Sequence, residues 1–202
     1  MKLYYRDGSC SLASVISLLE AGQQAEFVRV DRATGRTADG LDFSEVNPKG
    51  YVPALTLDND QTLTENVAVL QYIGDCNPAA KLAPPFGTME RYRLIEWLAF
   101  INGEIHKSYS PLFRKDLSED IKAYARKNLT TRASWLDRTW GTRSYLMGEQ
   151  FTVADAYLYV VLGWSPKVGV DLVQWPKLQA FVARVGTRPH VVAALKAEGL
   201  AK

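Results

Sequence analysis

The chain has almost none of the residues that build metal centres or covalent frameworks, with two cysteines and two histidines in 202 residues. Cys10 and Cys76 stand 66 positions apart, outside any metal-ligand spacing, so a zinc or iron site and a disulfide scaffold are both excluded. Free thiols then point to a reducing compartment, and the expectation is a cytoplasmic protein. Long hydrophobic runs are also missing: Arg6 and Asp7 follow the first strand-like stretch, and no later run approaches the ~20 apolar residues of a membrane span. We therefore expect a soluble, unexported chain. Charge of one sign is not in excess either, because 24 Lys and Arg face 22 Asp and Glu without blocks of like charge. Nothing here attracts a nucleic acid.

What is present is a change of pattern about a third of the way along. Lys2 to Tyr5, Phe27 to Val30, Ala54 to Leu57 and Gln61 to Leu63 read as strands. Leu12, Val15, Ile16 and Leu19 recur at helical spacing before Ala21-Gly22, which gives a βαβ unit. Asp58-Asn59-Asp60 suits a tight hairpin between the last two strands, and a further helix runs from Thr64 or Glu65 through Ile73. Residues 78–88 hold three prolines and a glycine and read as a linker. Beyond it the period is helical throughout, over roughly 89–108, 117–140, 153–163, 175–186 and 190–198. The fold class is an α/β domain over residues 1–77 followed by an all-α domain over 89–202.

Four places could carry chemistry. Cys10 lies between the first strand and first helix, where unsatisfied backbone N–H groups favour a thiolate; it equally suits a small buried hydrophobe. Pro53 opens a strand and pushes Val52 into extended geometry, leaving the Val52 backbone able to pair with an extended peptide, in particular across a cis bond. Glu65 and Asn66 stand at a helix start, which receives a carboxylate, while Glu65 receives an ammonium group; together they suit an α-amino acid terminus or simply cap the helix. His106 ends a stripe of small and polar residues formed by Ala99, Asn102, Gly103 and His106. Thr152 and Asp155 form a capping box, which is a folding signal, and Arg91, Trp97 and Trp135 read as core and solvated helix face.

In order and spacing, Met-Lys-Leu-Tyr-Tyr, Gly8-Ser9-Cys10-Ser11-Leu12, Asn47-Pro48-Lys49-Gly50 with Val52-Pro53, Leu63-Thr64-Glu65, Glu96-Trp97-Leu98, Glu104-Ile105-His106-Lys107 and Phe151-Thr152-Val153-Ala154-Asp155-Ala156-Tyr157 resemble the cytosolic glutathione transferases, specifically the bacterial beta class. The resemblance implies a thioredoxin-like N-terminal domain, an all-helical C-terminal domain and a homodimer. It further implies glutathione as co-substrate, conjugated to a small hydrophobic electrophile in detoxification, with no metal, nucleic acid or membrane involved. Carried over by position, Cys10 and His106 are the catalytic candidates. Val52, Pro53, Glu65, Asn66, Gly103 and Glu104 are the glutathione contacts, and Tyr109, Phe113 and Trp164 the electrophile pocket. Departures occur at Asp7, Gly35 and Ala99, where relatives often carry Pro, Lys and Asn. Two other activities fit the same residues: a thiol transferase or reductive cycle through a Cys10–glutathione mixed disulfide, and a ligand-binding protein without turnover.

Overall fold

The computed structural model describes residues 1–201. It begins with β1 (Lys2–Tyr5), α1 (Leu12–Glu20) and β2 (Glu26–Arg29), the parallel β1–β2 pair being joined by a helix as the apolar spacing requires. A one-turn helix, α2 (Phe43–Val46), follows; its start is capped by Asp42, which accepts from the Ser44 N–H at 3.0 Å. Then come β3 (Ala54–Thr56), β4 (Thr62–Thr64) and α3 (Asn66–Cys76). The sheet order is β2-β1-β3-β4, with β3 antiparallel to both neighbours. Leu3 and Leu55 are paired across the sheet and fully buried, and Ile16, Leu18, Val69, Leu70 and Ile73 from α1 and α3 are buried with them in this unit's core.

The remainder is helical: α4 (Met89–Phe100), a π-helical segment (Ile101–His106), α5 (Lys107–Tyr109), α6 (Glu119–Thr139), α7 (Val153–Leu162), α8 (Pro176–Gly186) and α9 (Pro189–Ala197). This is the α/β domain plus helical domain that the pattern predicts and the thioredoxin-like arrangement that the resemblance implies, and no helix among the described residues is long and apolar enough to cross a membrane.

The contacts divide the chain differently from the expected boundaries at 77 and 89. One unit comprises residues 1–83 together with the chain from Arg188 on, and the other residues 84–187. Leu82, placed in the linker by its prolines, is buried with the first unit. The return of α9 has a simple cause: it packs on α1, burying Val191 and Ala194, and Arg188 forms a two-pronged ion pair with Glu20 at 2.7 Å on each prong. Glu20 is nearly enclosed there, and although burial raises its pKa, Arg188 and His190 together outweigh it and hold the carboxyl below the usual range.

Two other readings change. The helix expected over 89–108 widens to π geometry at Ile101–His106, and Ile101, Ile105 and Tyr109 are buried along this stretch. Arg91, read as solvated helix face, is 1% exposed; its guanidinium stacks on Phe86 at 4.5 Å and donates to the Pro84 carbonyl at 3.2 Å. The capping box is present as read: Asp155 accepts from the Thr152 N–H, the Thr152 hydroxyl and the Leu146 N–H, each at 2.8 Å.

Candidate active site

In the first unit, the loop from β1 to α1 presents Cys10. Gly8 has a left-handed backbone, φ +62°, that a side chain would strain, and its N–H donates to the Glu198 carboxylate at 2.7 Å. Ser11 at the head of α1 accepts from the Arg6 N–H at 3.2 Å and closes the loop. The half-buried Cys10 thiol then donates to the Val52 carbonyl at 3.5 Å, beside the cis Val52–Pro53 bond. Asn66, buried at the first turn of α3, donates from Nδ2 to the Cys10 carbonyl at 3.3 Å and accepts from the Ser14 hydroxyl at 3.0 Å. Thus Cys10, Val52, Pro53 and Asn66, expected from separate motifs, meet around the head of α1.

Glu65 precedes α3 with φ +69°, uncommon for a residue with a side chain. Its carboxylate accepts from the Lys49 ammonium at 2.5 Å and from the Tyr51 hydroxyl at 2.8 Å, and Lys49 also reaches the Thr64 hydroxyl at 3.0 Å. The bond to Glu65 raises both the Lys49 and Tyr51 pKa values, because the carboxylate accepts from the protonated form of each and holds its proton on Lys49 or Tyr51. An ammonium at Glu65 is therefore realised within the chain itself. Lys49 and Tyr51 were not singled out from sequence; Asn47-Pro48-Lys49-Gly50 marks only a turn, and 16 residues separate Lys49 from its partner.

The second unit builds a different cluster. His106 lies at the end of the π segment; its Nδ1 is 2.6 Å from the Tyr157 hydroxyl of α7, and that hydroxyl donates to Asn102 Oδ1 at 3.0 Å. Burial, with a smaller contribution from Lys107, pulls His106 from 6.5 down to about 4, so the ring is neutral near pH 7. Its ring meets Trp164 in an edge-to-face arrangement, 4.9 Å between ring centres, and Tyr109 and Phe113 each meet Trp164 edge-to-face at 5.8 Å. Tyr109, however, is fully buried and shares a 2.5 Å hydrogen bond with the Ser165 hydroxyl, and burial pushes its phenol to about 12. Of the three expected pocket aromatics, Phe113 alone is substantially exposed. Gly103 and Glu104 are on the exposed side of the π segment, where Glu104 pairs with Arg132 at 2.6 Å. Tyr157 was read as part of a folding motif, and its position after the capping box gives no hint of its partner 51 residues away.

A thioredoxin-like unit with a cysteine at the head of its first helix, a cis proline opposite and a separate all-helical unit together define a glutathione-transferase-type architecture. Comparison with known proteins agrees. The model described as "Glutathione S-transferase, N-terminal domain" matches residues 1–75, and "Glutathione S-transferase, C-terminal domain" matches residues 100–189. The chain is 43% identical over 200 residues to glutathione S-transferase GstA of Escherichia coli O157:H7, covering 99% of this chain and 100% of that one. Among solved structures, it is 49% identical to a sphingomonad glutathione S-transferase complexed with glutathione, at TM-score 0.96 with full coverage of both chains. It is also 48% identical to the bacterial beta class glutathione S-transferase of Sphingomonas chungbukensis, again at TM-score 0.96 and full coverage. The chain belongs to the glutathione S-transferase family, in its bacterial beta class.

Proposed function

We propose that this chain conjugates reduced glutathione to small hydrophobic electrophiles and thereby serves detoxification in the cytoplasm. The observation that carries the reading is the grouping in the first unit of the Cys10 thiol, the Val52 carbonyl beside Pro53, the Asn66 amide and the Glu65 carboxylate. Glutathione offers a group for each: its cysteinyl backbone for the Val52 main chain, its α-ammonium for Glu65 in place of Lys49, and its thiol for the neighbourhood of Cys10. Asn66 and the start of α3 take the γ-glutamyl carboxylate. From the helical unit, the family resemblance adds His106, neutral by burial, as a group stabilising the thiolate, and Gly103 and Glu104 as glutathione contacts. The apolar edge formed by Phe113 and Trp164 holds the electrophile, with Tyr109 bracing Trp164 from within.

The active form is a homodimer. Phe86, just before α4, and Met89 and Tyr92 in its first turn are each at least 60% exposed, and a second copy of the chain covers them in this reading. Initial rates of conjugation to a simple aryl halide, against a blank at the same pH, test the activity. A rate above blank that saturates in glutathione is expected, and Cys10→Ser retains it, since the thiolate that attacks is glutathione's own. No rate above blank, or total loss in Cys10→Ser, sinks the conjugation reading.

A further inference from the structure

Three groups of the first unit converge on the Lys49 ammonium. It donates to Glu65 Oε1 at 2.5 Å and to the Thr64 hydroxyl at 3.0 Å, and it stands 5.9 Å from the centre of the Tyr51 ring. A carboxylate, a hydroxyl and an aromatic face are the groups that recognise a primary ammonium in any ligand. The Tyr51 hydroxyl donates to the same Glu65 oxygen at 2.8 Å, so ring and carboxylate are joined without help from Lys49. Together they form a cradle for an ammonium, filled by a lysine 16 residues before Glu65 in the same unit. That lysine is lightly held: the Lys49 and Glu65 side chains are 47% and 52% exposed, a setting in which an ion pair adds little. A tethered group competes with a free one at the effective concentration its tether sets, on the order of millimolar for a short loop.

We propose that Lys49 is a built-in competitor for the ammonium site at Glu65, displaced when the α-ammonium of glutathione arrives, and that it sets how strongly that group is recognised. The inference deepens the glutathione reading of this site and rests on it. Two ammonium groups on one carboxylate oxygen repel each other, whereas the neutral Tyr51 hydroxyl stays beside either. Binding therefore exchanges one ion pair for another, and only the difference between them reaches the affinity. A ligand with the same carboxylates but no amine leaves Lys49 in place. Glutathione releases Lys49 to solvent, where its pKa, raised by Glu65, falls back and its amine becomes more reactive.

The test uses the full-length protein and two ligands, glutathione and its deamino analogue glutaryl-cysteinylglycine, with dissociation constants from titration calorimetry. The ratio of the two constants isolates the ammonium, because thiol and carboxylates are common to both. In Lys49→Met the ratio is expected to rise about threefold over the parent's, the competitor being gone. Trace acetylation of the parent with N-hydroxysuccinimidyl acetate follows the lysine itself, read by mass spectrometry against the exposed Lys196 as internal standard. Saturation with S-methylglutathione is expected to raise Lys49 labelling about threefold. An unchanged or smaller ratio in Lys49→Met overturns the proposal, as does labelling of Lys49 that stays level or falls, the sign of a lysine that touches the ligand. A parent ratio of one defeats ammonium recognition at Glu65 as well. A parent that binds neither ligand defeats the glutathione reading as a whole.

Discussion

Asn66 holds Cys10 by its main chain: Nδ2 donates to the Cys10 carbonyl at 3.3 Å while Oδ1 is occupied by Ser14. The start of α3 and the head of α1 are thereby tied together across 56 residues of sequence. Asn66→Ala takes one donor from the Cys10 carbonyl, which keeps the Ala13 N–H at 3.1 Å, and removes the acceptor of the buried Ser14 hydroxyl. We expect it to lower unfolding free energy by about 1–2 kcal/mol, measured by urea denaturation, and to raise the KM for glutathione. An unchanged midpoint would show that the two bonds are not maintained in solution.

Glu65 gives the opposite separation of effects. Its pair with Lys49 is half exposed on both sides, so it contributes little to stability. Glu65→Gln keeps an acceptor for Lys49 and Tyr51 but removes the charge. The expected outcome is a melting temperature within about 2 °C of the parent. The KM for glutathione should rise about tenfold, the loss of roughly 1.4 kcal/mol of charge-assisted bonding to an ammonium.

His106 makes stability fall on acidification. Its folded pKa of about 4 lies below the 6.5 of an unperturbed imidazole, so between those values the unfolded chain takes up a proton that the folded chain refuses. Stability is fully retained above pH 6.5 and declines as pH drops toward 4, by up to about 3 kcal/mol from this group. Comparing the pH dependence of urea midpoints for the parent and His106→Gln isolates the contribution. The slope over this window should be shallower in the variant, and equal slopes would count against a buried neutral ring.

Asp155 is a folding residue. It is fully buried and accepts three hydrogen bonds, from the Thr152 N–H, the Thr152 hydroxyl and the Leu146 N–H. Asp155→Ala orphans all three donors, and a loss of about 2–4 kcal/mol is expected from thermal unfolding. The conjugation rate per folded molecule at a temperature where the variant is native should stay close to the parent's. A stable but inactive variant would move Asp155 into the chemistry.

Much of this was readable before any coordinates. The strands were legible because short apolar runs lie between turn residues, as at Asp58-Asn59-Asp60, and the βαβ unit because Leu12, Val15, Ile16 and Leu19 share one helical face. Cys10, Val52 and Asn66 were legible individually because each sits at the end of an element, where backbone groups go unpaired. Partners set by tertiary packing were not. Lys49 and Tyr157 lie in segments whose local pattern speaks only of a turn and of a helix start. The π widening at Ile101 also escaped, since Ile101 and Ile105 fit an ordinary α-helix equally well. Arg91 was misjudged because charge alone suggests solvent, whereas Phe86 and the Pro84 carbonyl supply both a stacking face and an acceptor.

The bond between Gly8 and Glu198 sets an order of events during synthesis. These residues are separated by 190 positions, so the loop that carries Cys10 emerges from the ribosome long before the carboxylate that fixes its left-handed glycine exists. The thioredoxin-like unit is thus discontinuous in time as well as in sequence. Its sheet can pair early, because its four strands end by Thr64, but α9 reaches α1 only after the whole helical unit has been made. A nascent chain arrested anywhere before Glu198 carries the cysteine without the clamp, and the last turn of synthesis completes the first loop of the protein.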